Sequence, residues 1–400
     1  MIAVLTLFWL CTAAVAYTYI GYPVLLILIS AAQQLRSDWR QISGAGTRRV
    51  PVDGPPLRVA VLVAAFNEER HIGERVHNLL TQDYPAERLR IYIGSDASDD
   101  RTAEIVRSFD SSRLTFVDFP MRRGKSSVIN DLAAMAVEDV LVFTDANTFF
   151  QPDAVRKLVR HFGRPDTGCV CGELRLVRGS LVGDNQDHFY WRYERLLKFF
   201  ESRIGGLLGA NGGVYALRRE DFRSIPPDTV IDDFWISMQV IESGRRALYD
   251  PEAVATEVIP ERIGDEFRRR VRIGIGNYQS LVRFAGLLDP RRGTVAFTFF
   301  SHKVLRWLAP HAMVVALLSN LLLIARPLYA VWFVAQVLFY AAAALGWLLA
   351  RGGAAPRALR LPLFFVGMNV GLLVGSWKFA TRASSGVWSR SERRSSTGVP

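Results

Sequence analysis

Residues 2–29 (IAVLTLFWLCTAAVAYTYIGYPVLLILI) carry no charged side chain. A run of that length crosses the hydrocarbon core of a bilayer as one helix. In hydrocarbon the backbone must satisfy its own hydrogen bonds, which leaves a helix as its form. The opening Met1-Ile2-Ala3 is not basic, so the segment reads as a retained anchor rather than a cleaved signal. Three further apolar stretches, 308–325, 328–350 and 361–377, are separated by Arg326-Pro327 and by the Arg351–Arg360 loop. Ahead of them, residues 294–307 set Phe297, Phe300, Val304 and Trp307 against His302, Lys303 and Arg306, a pattern that suits a helix in the membrane interface. The expected order is a transmembrane helix over 1–35, a polar linker over 36–56 and a globular domain over 57–290. An interface helix over 291–307, transmembrane helices within 308–380 and a basic, disordered tail over 381–400 follow.

The formal charge of +11 raises the question of nucleic acid. The arginines instead cluster beside the apolar stretches, at Arg36, Arg40, Arg48 and Arg49 and again at Arg351, Arg357 and Arg360. A positive-inside bias accounts for that placement and puts the globular domain in the cytosol, on an inner or plasma membrane, with membrane lipids and no nucleic acid as partners. Four spans would return the C-terminus to the side of the N-terminus, yet Lys378, Arg382, Arg390, Arg393 and Arg394 are basic too; the sequence leaves the side of the tail open. Of the three cysteines, Cys169 and Cys171 alternate on an expected strand without further Cys or His partners, so both read as reduced packing residues.

Within 57–290, apolar β-type runs at Leu57–Phe66, Leu89–Gly94, Leu114–Phe119 and Val140–Phe143 alternate with helical patterns at 70–81, 102–109 and 125–137. That alternation predicts an α/β domain with a mostly parallel sheet and helices on both faces. Further on, the patterns suggest a strand over Gly168–Val177, a helix over Asp187–Ile204, a short strand over Val214–Leu217 and a long amphipathic helix over Glu261–Ala285. In open α/β sheets, ligands sit outside the carboxyl ends of the strands. Asp96 and Asp145 end two such runs, and Asp145 and Asn147, at i and i+2, could hold a divalent cation and through it a phosphate. Lys125 follows Gly124 at a helix start, where free N–H groups and an ammonium suit a diphosphate. Asp232-Asp233 opens a helix, and reads either as two caps or as a cap and a general base. Arg269 and Arg272, at i and i+3, can reach one anion together.

The order of these motifs resembles membrane-bound family 2 glycosyltransferases, the inverting GT-A-fold group of cellulose, chitin and hyaluronan synthases. The matching stretches are VAAFNEE (63–69), SDASDD (95–100), RRGKSSVIN (122–130), TDAN (144–147), GANGGVYALRR (209–219), IDD (231–233) and RRVRI (269–273). TYIGYP (18–23) also looks like the end of a first span in such proteins. The resemblance implies a nucleotide-sugar donor, Mg²⁺ or Mn²⁺, and a saccharide or lipid acceptor, with other polysaccharide export components as possible partners. By position it places Asn67, Glu68, Asp96, Lys125 and Arg269 at the nucleotide, with Asp96 on the uracil. Asp145 and Asn147 fall at the metal, and Asn211, Gly212 and Asp232 beside the acceptor. Asp233 matches the catalytic base and Arg272 the arginine on the leaving diphosphate.

Three departures bear on the chemistry. Asn147 stands where the family usually has a second aspartate, and an amide oxygen is a weaker metal ligand than a carboxylate. Asp232 shortens the usual Glu-Asp pair. Ile273 replaces the tryptophan of the processive synthases' Gln-x-x-Arg-Trp motif, removing a flat ring on which an acceptor sugar could stack. The readings are thus a polysaccharide synthase, a single-sugar lipid glycosyltransferase, or a non-catalytic nucleotide-binding partner of another synthase. A transporter fits poorly, because the apolar stretches hold almost no charge for a substrate path. A nicotinamide-dependent dehydrogenase is excluded, since the first strand ends in Asn67-Glu68-Glu69 rather than a glycine fingerprint.

Overall fold

The structure, a computed structural model, describes residues 1–43, 56–177, 186–258, 263–351 and 356–382. They form two compact units, one with described residues 32–43, 56–177 and 198–258, the other with 1–31, 186–197 and 263–382 apart from 352–355. The 381–400 tail of the sequence reading lies outside the described residues except for 381 and 382.

The first unit is built on an eight-stranded sheet. Its strands are β1 (Val59–Ala65), β2 (Leu89–Asp96), β3 (Leu114–Phe119), β4 (Val140–Asp145), β5 (Thr148–Phe150), β6 (Thr167–Val177), β7 (Tyr215–Arg218) and β8 (Arg246–Val258). Their spatial order is β3-β2-β1-β4-β7-β6-β8-β5. β3, β2, β1 and β4 run parallel. Both faces of β1 are covered, which is why VAVLVAA can be apolar throughout. Val59, Val61 and Val63 join Ile72, Val76 and Leu79 of the helix Ile72–Leu80 in the core. The chain moves outward from β1 to β2 and β3, then returns across β1 to β4. That reversal opens a crevice at the carboxyl ends of β1 and β4.

The far half of the sheet is antiparallel at β4–β7, β6–β7 and β5–β8, with β6 and β8 parallel. Only Ala146 and Asn147 separate β4 from β5, yet β5 pairs with β8 at the other end of the order. A two-residue link cannot span a flat sheet of that width, so this half curls and brings β8 beside the Asp145–Asn147 turn. β8 has no counterpart in the sequence reading. Arg246–Val258 contains Asp250-Pro251-Glu252 and lacks a clean two-residue alternation, and it becomes a strand by pairing with β6 on one side and β5 on the other.

The second unit is helical. Among the described residues, four runs are long and apolar enough to cross a membrane: Ile2–Ile42, whose residues from 32 onward belong to the first unit, Thr294–Leu322, Pro327–Arg351 and Arg357–Ala380. The first continues as helix through residues expected to begin the linker, with one widened turn at Tyr17–Gly21. The expected interface helix likewise does not stop near 307; Thr294–Leu322 runs through it into the apolar stretch. The helix Ile263–Arg283 packs on Arg357–Ala380 through facing glycines, where a Cβ on Gly375 would come 2.7 Å from Gly274 Cα. Small residues let two helix backbones approach in this way. Buried Arg306 meets buried Glu194 in an ion pair, with His302 3.8 Å from the same carboxylate.

Candidate active site

The crevice is floored by the ends of β1, β2 and β4. Asp96 ends β2 but is only 2 % exposed. Its carboxylate accepts the backbone N–H of Arg123 at 2.7 Å and of Gly124 at 2.8 Å. The carboxylate expected at the uracil also holds the loop before Lys125 through these two bonds. The reason is local. Gly124, at φ +90°, turns two successive N–H groups toward one point, and a buried carboxylate satisfies both. Asn67 is likewise tied inward, its Oδ1 accepting the Asp99 N–H at 3.0 Å, while the Glu68 N–H donates to Thr102 Oγ1 at 2.8 Å. These contacts join the β1 and β2 loops to one another.

Lys125 is the first residue of the helix Lys125–Met135, and the loop held by Asp96 aims it across the crevice. Its Nζ lies 2.8 Å from Asp145 Oδ1 and 2.9 Å from Asp232 Oδ2, with 21 % of the side chain exposed. Burial works against the ammonium, but the two carboxylates outweigh it and hold the lysine pKa above its ordinary value. The helix can carry Lys125 there because β2 has a glycine beneath it. A Cβ on Gly94 would fall 2.5 Å from Val128 Cγ1.

Asp233 sits beside this cluster, in the first turn of the helix Asp232–Glu242, with its Oδ1 accepting the Phe234 N–H at 2.8 Å. Burial, and then the negative charge of Asp232, push its pKa up to about 6, with Lys125 pulling the other way. The 209–213 loop lies directly against it, since a Cβ on Gly212 would come 2.9 Å from Asp233 Oδ2. Asn211, expected to face the acceptor, is held by three bonds within the protein. Its Nδ2 donates to Gly172 O at 3.0 Å, its N–H to Cys171 Sγ at 3.2 Å, and its Oδ1 accepts from buried Lys198. Cys171 is free and buried, as the sequence suggested, and also serves that loop as an acceptor.

At the metal motif, Asp145 Oδ1 faces Lys125, and Asn147 is 6 % exposed with its Nδ2 donating to Glu257 Oε1 at 3.2 Å. Among the described residues no three His, Cys, Asp or Glu side chains are grouped to hold a metal by themselves. Behind β4, fully buried Arg75 donates to Thr144 Oγ1 at 2.7 Å and to Asn78 Oδ1 at 2.5 Å, and its guanidinium lies 4.4 Å from the Phe150 ring centroid. Burial pushes its pKa down to about 9, while the charge of Asp145 acts to raise it. Arg75, Lys198 and Glu257 had no signal in the sequence, because each sits on an element whose partners come from distant parts of the chain. Arg269 and Arg272 belong to the helical unit, on the helix Ile263–Arg283, where Arg272 is exposed and Arg269 half-buried.

The glycosyl transferase family 2 model matches residues 60–225, the span from β1 to just past β7 that supplies Asp96, Lys125, Asp145 and the 209–213 loop. Residues 60–225 are similar to a family 2 glycosyltransferase domain. Poly-β-1,6-N-acetyl-D-glucosamine synthases of Staphylococcus epidermidis and Staphylococcus aureus are 27% and 28% identical to this chain over 232 residues. The aligned region is 56% of this chain and 56% of each synthase, so the chain spans about half the length of the curated relatives it matches. A mannosyltransferase of Pyrobaculum calidifontis, solved in complex with GDP-Man and Mn²⁺, shares the fold with a TM-score of 0.69 at 21% identity, over 94% of this chain and 100% of that one. The domain thus has the GT-A type sheet that the order of motifs implied. Asp232, Asp233 and Glu257 lie beyond the matched span.

Proposed function

We propose that the chain is an inverting membrane glycosyltransferase. It moves one sugar from a UDP-linked nucleotide-sugar to a saccharide or lipid acceptor in extracellular polysaccharide or glycolipid assembly. The observation that carries this reading is the cluster of Lys125, Asp145, Asp232 and Asp233 at the carboxyl edge of the sheet, with Gly212 against Asp233. The positive-inside placement of arginines supports a cytosolic site. The staphylococcal relatives make N-acetylglucosamine the first sugar to test.

In this mechanism Asp233 takes the acceptor hydroxyl proton as the oxygen attacks the anomeric carbon. A carboxylate with its pKa raised to about 6 is a stronger base than an ordinary aspartate and is still ionised at neutral pH. Lys125, at a helix N-terminus, places positive charge where the diphosphate leaves. Arg269 and Arg272 are proposed to add to it. The metal motif fits a divalent cation: the bond from Asn147 Nδ2 to Glu257 leaves Oδ1 on the other arm of the amide, and Asp145 contributes a carboxylate. Asp145 and Asn147 would hold Mg²⁺ or Mn²⁺ there, supplying positive charge beside the leaving group.

Ile273 favours a second reading, in which one sugar is added to a lipid rather than a polymer extended. One assay tests both. Native membranes holding the protein are given UDP-, GDP- and TDP-sugars, and nucleotide release and product size are read together. Release of UDP with a long product supports the synthase, and release with a single-sugar lipid supports the second reading. No release from any donor refutes the enzyme.

A further inference from the structure

The sequence presents Asn147 as a loss, a neutral amide where the family usually has a carboxylate. The curl of the sheet supplies something in its place. β5 begins one residue after Asn147, and its Thr148 lies opposite Glu257 in the antiparallel register with β8. The Glu257 carboxylate thereby meets the Asn147 amide, Nδ2 to Oε1, at 3.2 Å. Asn147 is 6 % exposed, so the amide has little water with which to exchange this partner.

We infer that Glu257 is a positioning member of the divalent-cation site, fixing the Asn147 amide and restoring the negative charge that the asparagine lacks. The inference rests on the metal-assisted reading proposed above. Two physical facts carry it. An amide facing a carboxylate must present N–H to it, because the reverse orientation would bring two oxygen acceptors together. The Asn147 oxygen is therefore fixed on the arm away from Glu257, as a donor to a cation. Charge follows the same logic. Asn147 and Glu257 together carry one negative charge, as an aspartate at 147 would alone, so with Asp145 the site has the two carboxylates of an Asp-x-Asp motif. An aspartate at 147 would meet Glu257 as a like charge in a poorly hydrated place. The two positions are thus a matched pair, and Asn147 is no sign of a disabled enzyme.

The test is Mn²⁺ binding to the full chain in detergent with UDP present, read by the loss of the free-Mn²⁺ paramagnetic resonance signal. Glu257→Gln is expected to weaken Mn²⁺ by about tenfold or more, the usual cost of removing a group that orients a ligand. Asn147→Asp alone should give no gain, and the double variant Asn147→Asp/Glu257→Gln should recover wild-type binding. Recovery in the double variant cannot come from a misfolded chain. Wild-type affinity in Glu257→Gln, or failure of the double variant to recover, overturns the inference. Asp145→Asn separates it from the reading beneath. If Asp145→Asn abolishes binding while Glu257→Gln does not, the cation site stands and the role of Glu257 falls. If the wild type binds no Mn²⁺, or Asp145→Asn binds it normally, both fall.

Discussion

Asp233 is an acid whose usefulness depends on what surrounds it. Burial and the neighbouring Asp232 raise its pKa to about 6, and Lys125 limits the rise. If it is the base, Asp233→Asn should lower kcat by about 10²- to 10⁴-fold, with UDP binding by calorimetry nearly unchanged; turnover close to wild type would remove the role. The base must be ionised to act. kcat/KM should therefore fall as pH drops through about 6 and level off above it. Lys125→Met removes the charge that holds Asp233 down, so the same acid limb should move to higher pH. A limb that stays in place would assign it to another group. Asp96 and Asn211 show how far the surroundings engage a candidate side chain, Asp96 with the backbone of residues 123 and 124 and Asn211 with Gly172 O and the Lys198 ammonium.

At the scale of elements, the site depends on how closely the helix Lys125–Met135 lies on β2. Gly94 has no side chain where a Cβ would be 2.5 Å from Val128 Cγ1 and 3.2 Å from the Phe119 ring. Gly94→Ala should therefore push the helix outward, at a cost of about 1–3 kcal/mol in stability. Because Lys125 starts that helix, the displacement should also appear as a higher KM for the donor. Adding Val128→Ala should return much of the thermal unfolding midpoint. If Gly94→Ala leaves both midpoint and KM unchanged, the close packing is not what places Lys125. The parallel strands and this helix were readable from their apolar runs and from the Gly124-Lys125 start. β8 was not, because its pattern is irregular and its partners, β6 and β5, lie far away in sequence.

At the scale of the whole molecule, four helices among the described residues are long and apolar enough to cross a membrane, and they accompany a sheet domain that holds the candidate chemistry. The helical unit also buries charge, in the Glu194–Arg306 pair with His302. Removing one partner strands the other without water. Glu194→Gln should destabilise the protein by about 3–5 kcal/mol, whereas Glu194→Gln with Arg306→Met should cost much less. Thermal unfolding of the full chain in detergent measures both, and equal losses would show that the pair is not coupled.

Local patterns were enough to determine the apolar spans, the α/β order of the domain and the acidic and basic residues at strand ends and helix starts. Those features follow from hydrophobic periodicity and from turn and cap chemistry within a few residues. Tertiary structure alone decided which of those side chains meet. It turned Asp96 onto the backbone of residues 123 and 124, brought Lys125 between Asp145 and Asp232, and curled β8 so that Glu257 faces Asn147. Pairings between strands far apart in the chain are set by the packing of the whole sheet, and no single stretch of sequence contains them.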